Sequence, residues 1–120
     1  MKIENFYMGN PLNRNINYII GNSKEENTNL LDMGSENDLW FHIENISSCH
    51  VLCIIPDDLK DKKWKKYFIK KGAFFCYKYT NKVKSMKEIN IIYTEKKNVE
   101  KTNIQGQVHV NNYKIYKGSF

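Results

Sequence analysis

No stretch of this 120-residue chain approaches the roughly 20 consecutive apolar residues of a membrane-spanning helix. The opening residues, Met1-Lys2-Ile3-Glu4-Asn5, lack the long apolar core of a secretory signal. Three cysteines cannot complete a paired disulfide framework, so a reducing, cytoplasmic setting is the simpler expectation. The cysteines and histidines also lack the Cys-x-x-Cys or His-x-x-x-His spacing of a zinc site. No repeat, linker or low-complexity tail divides the chain, and one domain over residues 1–120 is expected. The last scarcity is local. Between Lys60 and Lys87 a single acid, Asp61, stands among eleven lysines.

That segment carries a local charge of +10, which leaves −4 on the rest of a chain whose net charge is +6. A basic block on a mildly acidic body suits a polyanionic partner. The chain is rich in Asn, Lys and Ile, as A/T-rich coding would produce. Such a bias raises the number of lysines but does not segregate them. The composition is otherwise ordinary, 41% apolar and 27% charged, enough for a single core.

Ile3 to Met8 reads as a strand, and Gly9-Asn10-Pro11 as a turn. Ile16, Tyr18 and Ile20 alternate, so the chain returns as the second strand of a hairpin ending at Gly21. Ser23 with Glu26 forms a capping box and predicts a short helix to about Leu31. Asp38 to Ile43 and His50 to Ile55 are two strands joined by a polar step. In the second of these both alternating sets are apolar, so both of its faces are buried, the following helix being the obvious cover.

From Lys60 to about Asn81 the pattern predicts one long helix. Trp64, Phe68, Gly72, Phe75 and Tyr79 form its buried stripe. Gly72 costs about 1 kcal/mol against Ala in a helix, and on that stripe it permits a close approach to the sheet. Ile89 to Tyr93 is a further strand, Thr94 to Lys101 a charged turn or short helix. Val108 to Ile115 reads as a hairpin turning at Asn111-Asn112. The predicted class is α+β, a mainly antiparallel sheet with one long helix packed on it and one short helix.

Two groups of residues exceed what a core requires. Asp38, His42, Ser48 and His50 stand at the ends of two buried strands. They either hydrogen-bond to one another, with Asp38 tying a histidine, or face a ligand. Lys62, Lys66 and Lys70 recur four apart beside Lys63, on the face opposite the aromatic stripe. Trp40 is read as core, Cys76 as packed, and His109 as a surface residue. A metal reading would use Asp38, His42, Cys49, His50 and Cys53, and a hydrolase reading a Ser or Cys beside a His. Neither has a supporting spacing, so no enzyme activity and no cofactor are expected.

Asp38-Leu-Trp-Phe-His42 followed by Ser48-Cys-His50-Val51 resembles the Asp-x-Trp-Phe-His and Ser-x-His-Val signature of the NFACT-R domain. That domain is the RNA-binding module at the C-terminal end of the NFACT proteins of ribosome quality control, and it also occurs alone or in short coiled-coil proteins. Upstream, Ile19 to Ser23 with Asn27 and Leu30 is similar to the family pattern. Downstream, Ile89 to Thr94, Lys101 and Gly106-Gln107-Val108 are similar too, so the likeness spans nearly the whole chain. Cys49 and Gln105 depart from the pattern, as does the lysine-rich helix. Neither an NFACT-N domain nor a coiled coil is present, so the tRNA-recruiting activity of full-length NFACT proteins is not carried over.

The resemblance implies an RNA-binding module with tRNA or ribosomal RNA as partner, the ribosome as its setting, and DNA as an alternative ligand. The expected contacts are Asp38, His42, Ser48, His50, Lys62, Lys63, Lys66, Lys70 and Lys101. The lysine ridge and the histidine pocket are expected to share one exposed side. The competing reading is a protein-interaction domain whose basic helix meets an acidic partner.

Overall fold

A computed structural model describes all residues, 1–120. Ten regular elements follow in the order β1 (Lys2–Met8), β2 (Arg14–Gly21), α1 (Lys24–Asn29), β3 (Leu39–Ile43), β4 (His50–Ile54), α2 (Lys65–Lys78), β5 (Ile89–Glu95), β6 (Val99–Lys101), β7 (Val108–Val110) and β8 (Lys114–Gly118). Six strands form one sheet in the order β1-β2-β4-β3-β5-β8, and β6 pairs with β7 as a separate ribbon. Every pairing is antiparallel. The predicted α+β class is the observed one.

Strand alternation sorts the side chains into two cores. One face of the sheet turns Tyr18, Ile20, Phe41, Ile43, Val51, Cys53 and Ile91 toward Phe68, Ala73, Phe75 and Cys76 of α2. The other turns Ile19, Trp40 and Leu52 toward Leu30, Leu31 and Val99, with Val108 and Val110 packed alongside. The second face of β4 is therefore covered by the turn after α1 and by the β6–β7 ribbon, not by the long helix. Gly72 allows α2 to sit close. A Cβ there would run into the Phe41 ring. Tyr18 donates its hydroxyl to the Phe68 carbonyl at 3.0 Å, so the same contact keeps its polar tip satisfied.

The Ser23 half of the predicted capping box is present, and the Glu26 arm reaches one residue beyond the cap. Ser23 Oγ accepts from the Glu26 amide at 3.1 Å, and the Glu26 carboxylate accepts from the Asn22 amide at 3.0 Å.

Three local expectations are corrected. The helical stretch expected from Lys60 to Asn81 opens as a 3-10 turn at Lys62–Trp64, capped by Asp61, and α2 ends at Lys78. Thr80 then turns extended and starts a separate 3-10 turn, Asn81–Val83. The charged turn or short helix expected from Thr94 to Lys101 forms only as a 3-10 turn at Lys96–Asn98, while Thr94 and Glu95 end β5 and Val99–Lys101 is the strand β6, with Val99 in the second core. The expected hairpin at Asn111-Asn112 does not form. β7 pairs with β6 and β8 with β5, since Val108 and Val110 serve one face of the sheet and Tyr116 the other. Asn112 does take the positive φ expected of it, 50°, where the chain passes between the two sheets.

Candidate nucleic-acid interface

The lysine ridge follows from the helix pattern. Lys62 and Lys63 sit in the opening turn, and Lys66 and Lys70 continue along α2, all four exposed. Acids elsewhere take other cations: Glu95 takes Lys65 and Lys97, Glu4 takes Lys78, and Asp57 takes Lys60. Lys62, Lys63, Lys66 and Lys70 have no ion-pair partner. Their placement opposes helix stability twice. Cations in the first turns face the positive end of the helix dipole, at roughly 0.3–1 kcal/mol each. Like charges four apart repel by about 0.2–0.5 kcal/mol per pair. A solvated face selected for stability would carry acids there.

Aromatic rings interleave with these cations. Lys63 Nζ lies 4.9 Å from the Trp64 ring centre and Lys66 Nζ 5.3 Å from that of Tyr67. Lys71, which the four-residue spacing did not single out, has its Nζ 4.0 Å from Phe6 and 4.4 Å from Phe74. Burial and the neighbouring Lys78 lower its pKa. Lys66, Lys70 and Lys71 border a groove of about 620 Å³ walled by Phe6, Tyr67, Phe74 and Phe120. Only the fold brings Phe6 and Phe120 beside α2.

Asp38 turns to the backbone. It is 2% exposed, and its carboxylate accepts the backbone amides of Ser35 at 2.6 Å and Ile55 at 2.9 Å. The side chain ties the start of β3 to the end of β4 and holds no histidine. Ser48 is also chiefly a strand tie. Its Oγ accepts the Ile43 amide at 3.1 Å and donates to the Cys49 carbonyl at 2.8 Å. Lys101 stands away from α2 on the ribbon, with its ammonium 2.7 Å from both carboxylate oxygens of Asp32. His109 is exposed, as expected. No three His, Cys, Asp or Glu side chains converge as metal ligands would.

His42 and His50 do meet. The β3–β4 register pairs Phe41 with Val51 and so sets 42 beside 50, and the two ring centres lie 4.8 Å apart. The Trp40 and His42 rings are parallel within 1° at 5.8 Å. Burial lowers the His42 pKa, and burial followed by the neighbouring His42 lowers that of His50 to about 3. Both imidazoles are neutral at pH 7, so they attract phosphate only as hydrogen-bond donors. They line a cavity of about 530 Å³ under the β6–β7 ribbon, shared with Lys24, Asn27, Ser48 and Gln107. Asn27 was visible in the sequence as part of the family pattern, though not as a site residue.

The ridge and the pocket do not share a side. Phe41 faces α2, whereas its neighbours Trp40 and His42 point to the ribbon, so the sheet separates the two. The physical reason is the period of two along β3.

The chain is 29% identical over 83 residues to mouse (Mus musculus) and to bovine (Bos taurus) coiled-coil domain-containing protein 25. It is 32% identical over 92 residues to that of Danio rerio. Each match covers 69% of this chain and 40% of the relative, so the chain corresponds to less than half the length of these proteins. Among solved structures it superposes, with a TM-score of 0.71 and 20% identity, on the C-terminal part of the fibronectin/fibrinogen-binding protein from Streptococcus suis. That match covers 87% of this chain and 41% of the other, and at this identity it shows the fold. Residues 6–115 match the family model of the NFACT protein RNA binding domain, and the chain belongs to that family.

Proposed function

We propose that this chain is an RNA-binding module that grips the phosphate backbone with the α2 ridge. The observation that supports this most is four exposed lysines, Lys62, Lys63, Lys66 and Lys70, without acid partners, the first three of them at the helix end that disfavours cations. Membership of an RNA-binding family supplies the ligand class. Phosphate contacts position an RNA without reading its sequence, so this surface recognises shape and charge. The preferred ligands are tRNA or ribosomal RNA in the cytoplasm, in translation or ribosome quality control, with residues 1–120 acting as one domain. No catalytic step is assigned to it.

The test is a titration of labelled tRNA, ribosomal RNA fragments, duplex DNA and heparin at several salt concentrations. Affinity for RNA is expected to fall steeply with salt. The triple variant Lys62→Glu, Lys66→Glu, Lys70→Glu is expected to lose binding while remaining folded. RNA binding unchanged at 0.5 M salt would refute the ridge.

A second reading, a protein-interaction domain, has one observation in its favour. The groove beside Lys66 and Lys70 is walled by aromatic rings, including the partly exposed Phe120. The solved relative is part of a protein named for binding fibronectin and fibrinogen. An acidic peptide that competes with RNA for the ridge would favour it.

A further inference from the structure

The cavity under the ribbon holds every buried side-chain polar atom that lacks a partner. These are Asn27 Oδ1, Trp40 Nε1 and His50 Nδ1. Their residues are 9%, 1% and 3% exposed. An unpaired buried polar group costs about 1–3 kcal/mol, so three around one cavity call for a ligand that satisfies them. One is an N–H donor, one a carbonyl acceptor, and one an imidazole nitrogen. No acid lines the cavity, and its lone fixed cation, Lys24, is exposed at the rim. The polar edge is therefore uncharged, with a single positive charge outside it.

One wall is a flat ring, the half-buried His42, with Trp40 sealed in the core beside it. Trp40 and His42 already stack in parallel. Across from them runs the loop between β6 and β7, with Ile104 and Gln107 facing the cavity. That loop is held in place. The Gly106 amide donates to Thr28 Oγ1 at 2.8 Å, and the Gln107 amide to the Ile104 carbonyl at 3.1 Å. Gly106 has φ +82°, and a Cβ there would meet the Lys24 backbone at 2.9 Å. These contacts fix the loop over the cavity.

We infer that this pocket takes one unpaired nucleobase of the bound RNA, stacked on the His42 ring with its edge turned toward the unpaired atoms of Asn27, Trp40 and His50, and with the adjoining phosphate at Lys24. The inference rests on the RNA-binding reading above and adds a base-contacting site on the face of the sheet opposite the ridge. Each nucleobase offers both donors and acceptors at its edge, as the three unpaired atoms require. The interior offers phosphate no fixed cation, since Lys24 stands at the rim. An RNA that serves both sites passes around an edge of the sheet, which a single-stranded end does more easily than a duplex.

The test uses one hairpin RNA in three forms: blunt, with a four-nucleotide 3′ overhang, and with the same overhang made abasic. Base stacking on aromatic side chains implies roughly tenfold tighter binding of the base-bearing overhang than of the abasic one. That comparison needs no variant. His42→Ala and Asn27→Ala are expected to equalise the two overhangs without weakening the blunt hairpin. The Trp40 indole N–H resonance is expected to shift when adenosine monophosphate or cytidine monophosphate is added to the wild-type protein. If the wild type binds all three hairpins equally and the ridge variant loses them all, the pocket inference fails and the RNA-binding reading stands. If no RNA binds, both fail.

Discussion

His50 carries the clearest consequence of burial. Its imidazole titrates near 6.5 when exposed and near 3 in the fold, held down by burial and then by His42. A proton therefore binds the unfolded chain more readily, and folding disfavours the charged form. The stabilisation from keeping His50 neutral is complete above pH 6.5 and is lost as pH falls toward 3, at up to about 1.4 kcal/mol per pH unit. Urea unfolding followed between pH 7 and pH 4 is expected to show that slope, and His50→Gln is expected to flatten it. Asp38 gives a second residue-scale expectation. Asp38→Ala leaves the buried amides of Ser35 and Ile55 without their acceptor, so it should destabilise by roughly 3 kcal/mol. Because the side chain turns to the backbone, RNA affinity per folded molecule should stay unchanged. Gly72→Ala gains about 1 kcal/mol of helix propensity. It also drives a methyl group into the Phe41 ring, an overpacking cost of about 1–3 kcal/mol, so a net lower urea midpoint is expected.

At the scale of elements, α2 is amphipathic in a lopsided way. Its buried side is well made: Phe68, Gly72 and Phe75 are buried as their spacing predicted, with Trp64 and Tyr79 half-buried at the two ends. Its exposed side is electrostatically poor. Lys62→Glu, at the first turn, should stabilise the fold by about 0.3–1 kcal/mol while weakening RNA binding, a trade visible in paired thermal and binding measurements. The helix was legible because a period near 3.6 in aromatic residues is a strong local signal. The ribbon was not. β6 and β7 are three residues each, too short for a period, and their valines pack in one cluster with a distant core residue, Trp40. The same limit hid the groove at Lys71, since Phe6 and Phe120 reach it from the two ends of the chain.

For the whole molecule, the sheet acts as a partition. One side presents unpaired lysines and aromatic rings, the other a neutral pocket with three unsatisfied polar atoms. The family signature located both histidines, yet it grouped Asp38 with them although the carboxylate turns to the backbone. Alternation along β3 was readable: 40 and 42 share a face that 41 does not. Which of those faces α2 would cover was not readable, because Gly72 against Phe41 is a contact between residues far apart in the chain.

The most direct measurement is the affinity for tRNA as a function of salt, wild type against Lys62→Glu, Lys66→Glu, Lys70→Glu. With about four phosphate contacts on the ridge, the log–log slope should lie near −3 to −4 for the wild type, with binding lost in the variant. A slope near zero, or a folded variant that binds as tightly as the wild type, would contradict a cationic ridge as the seat of RNA binding.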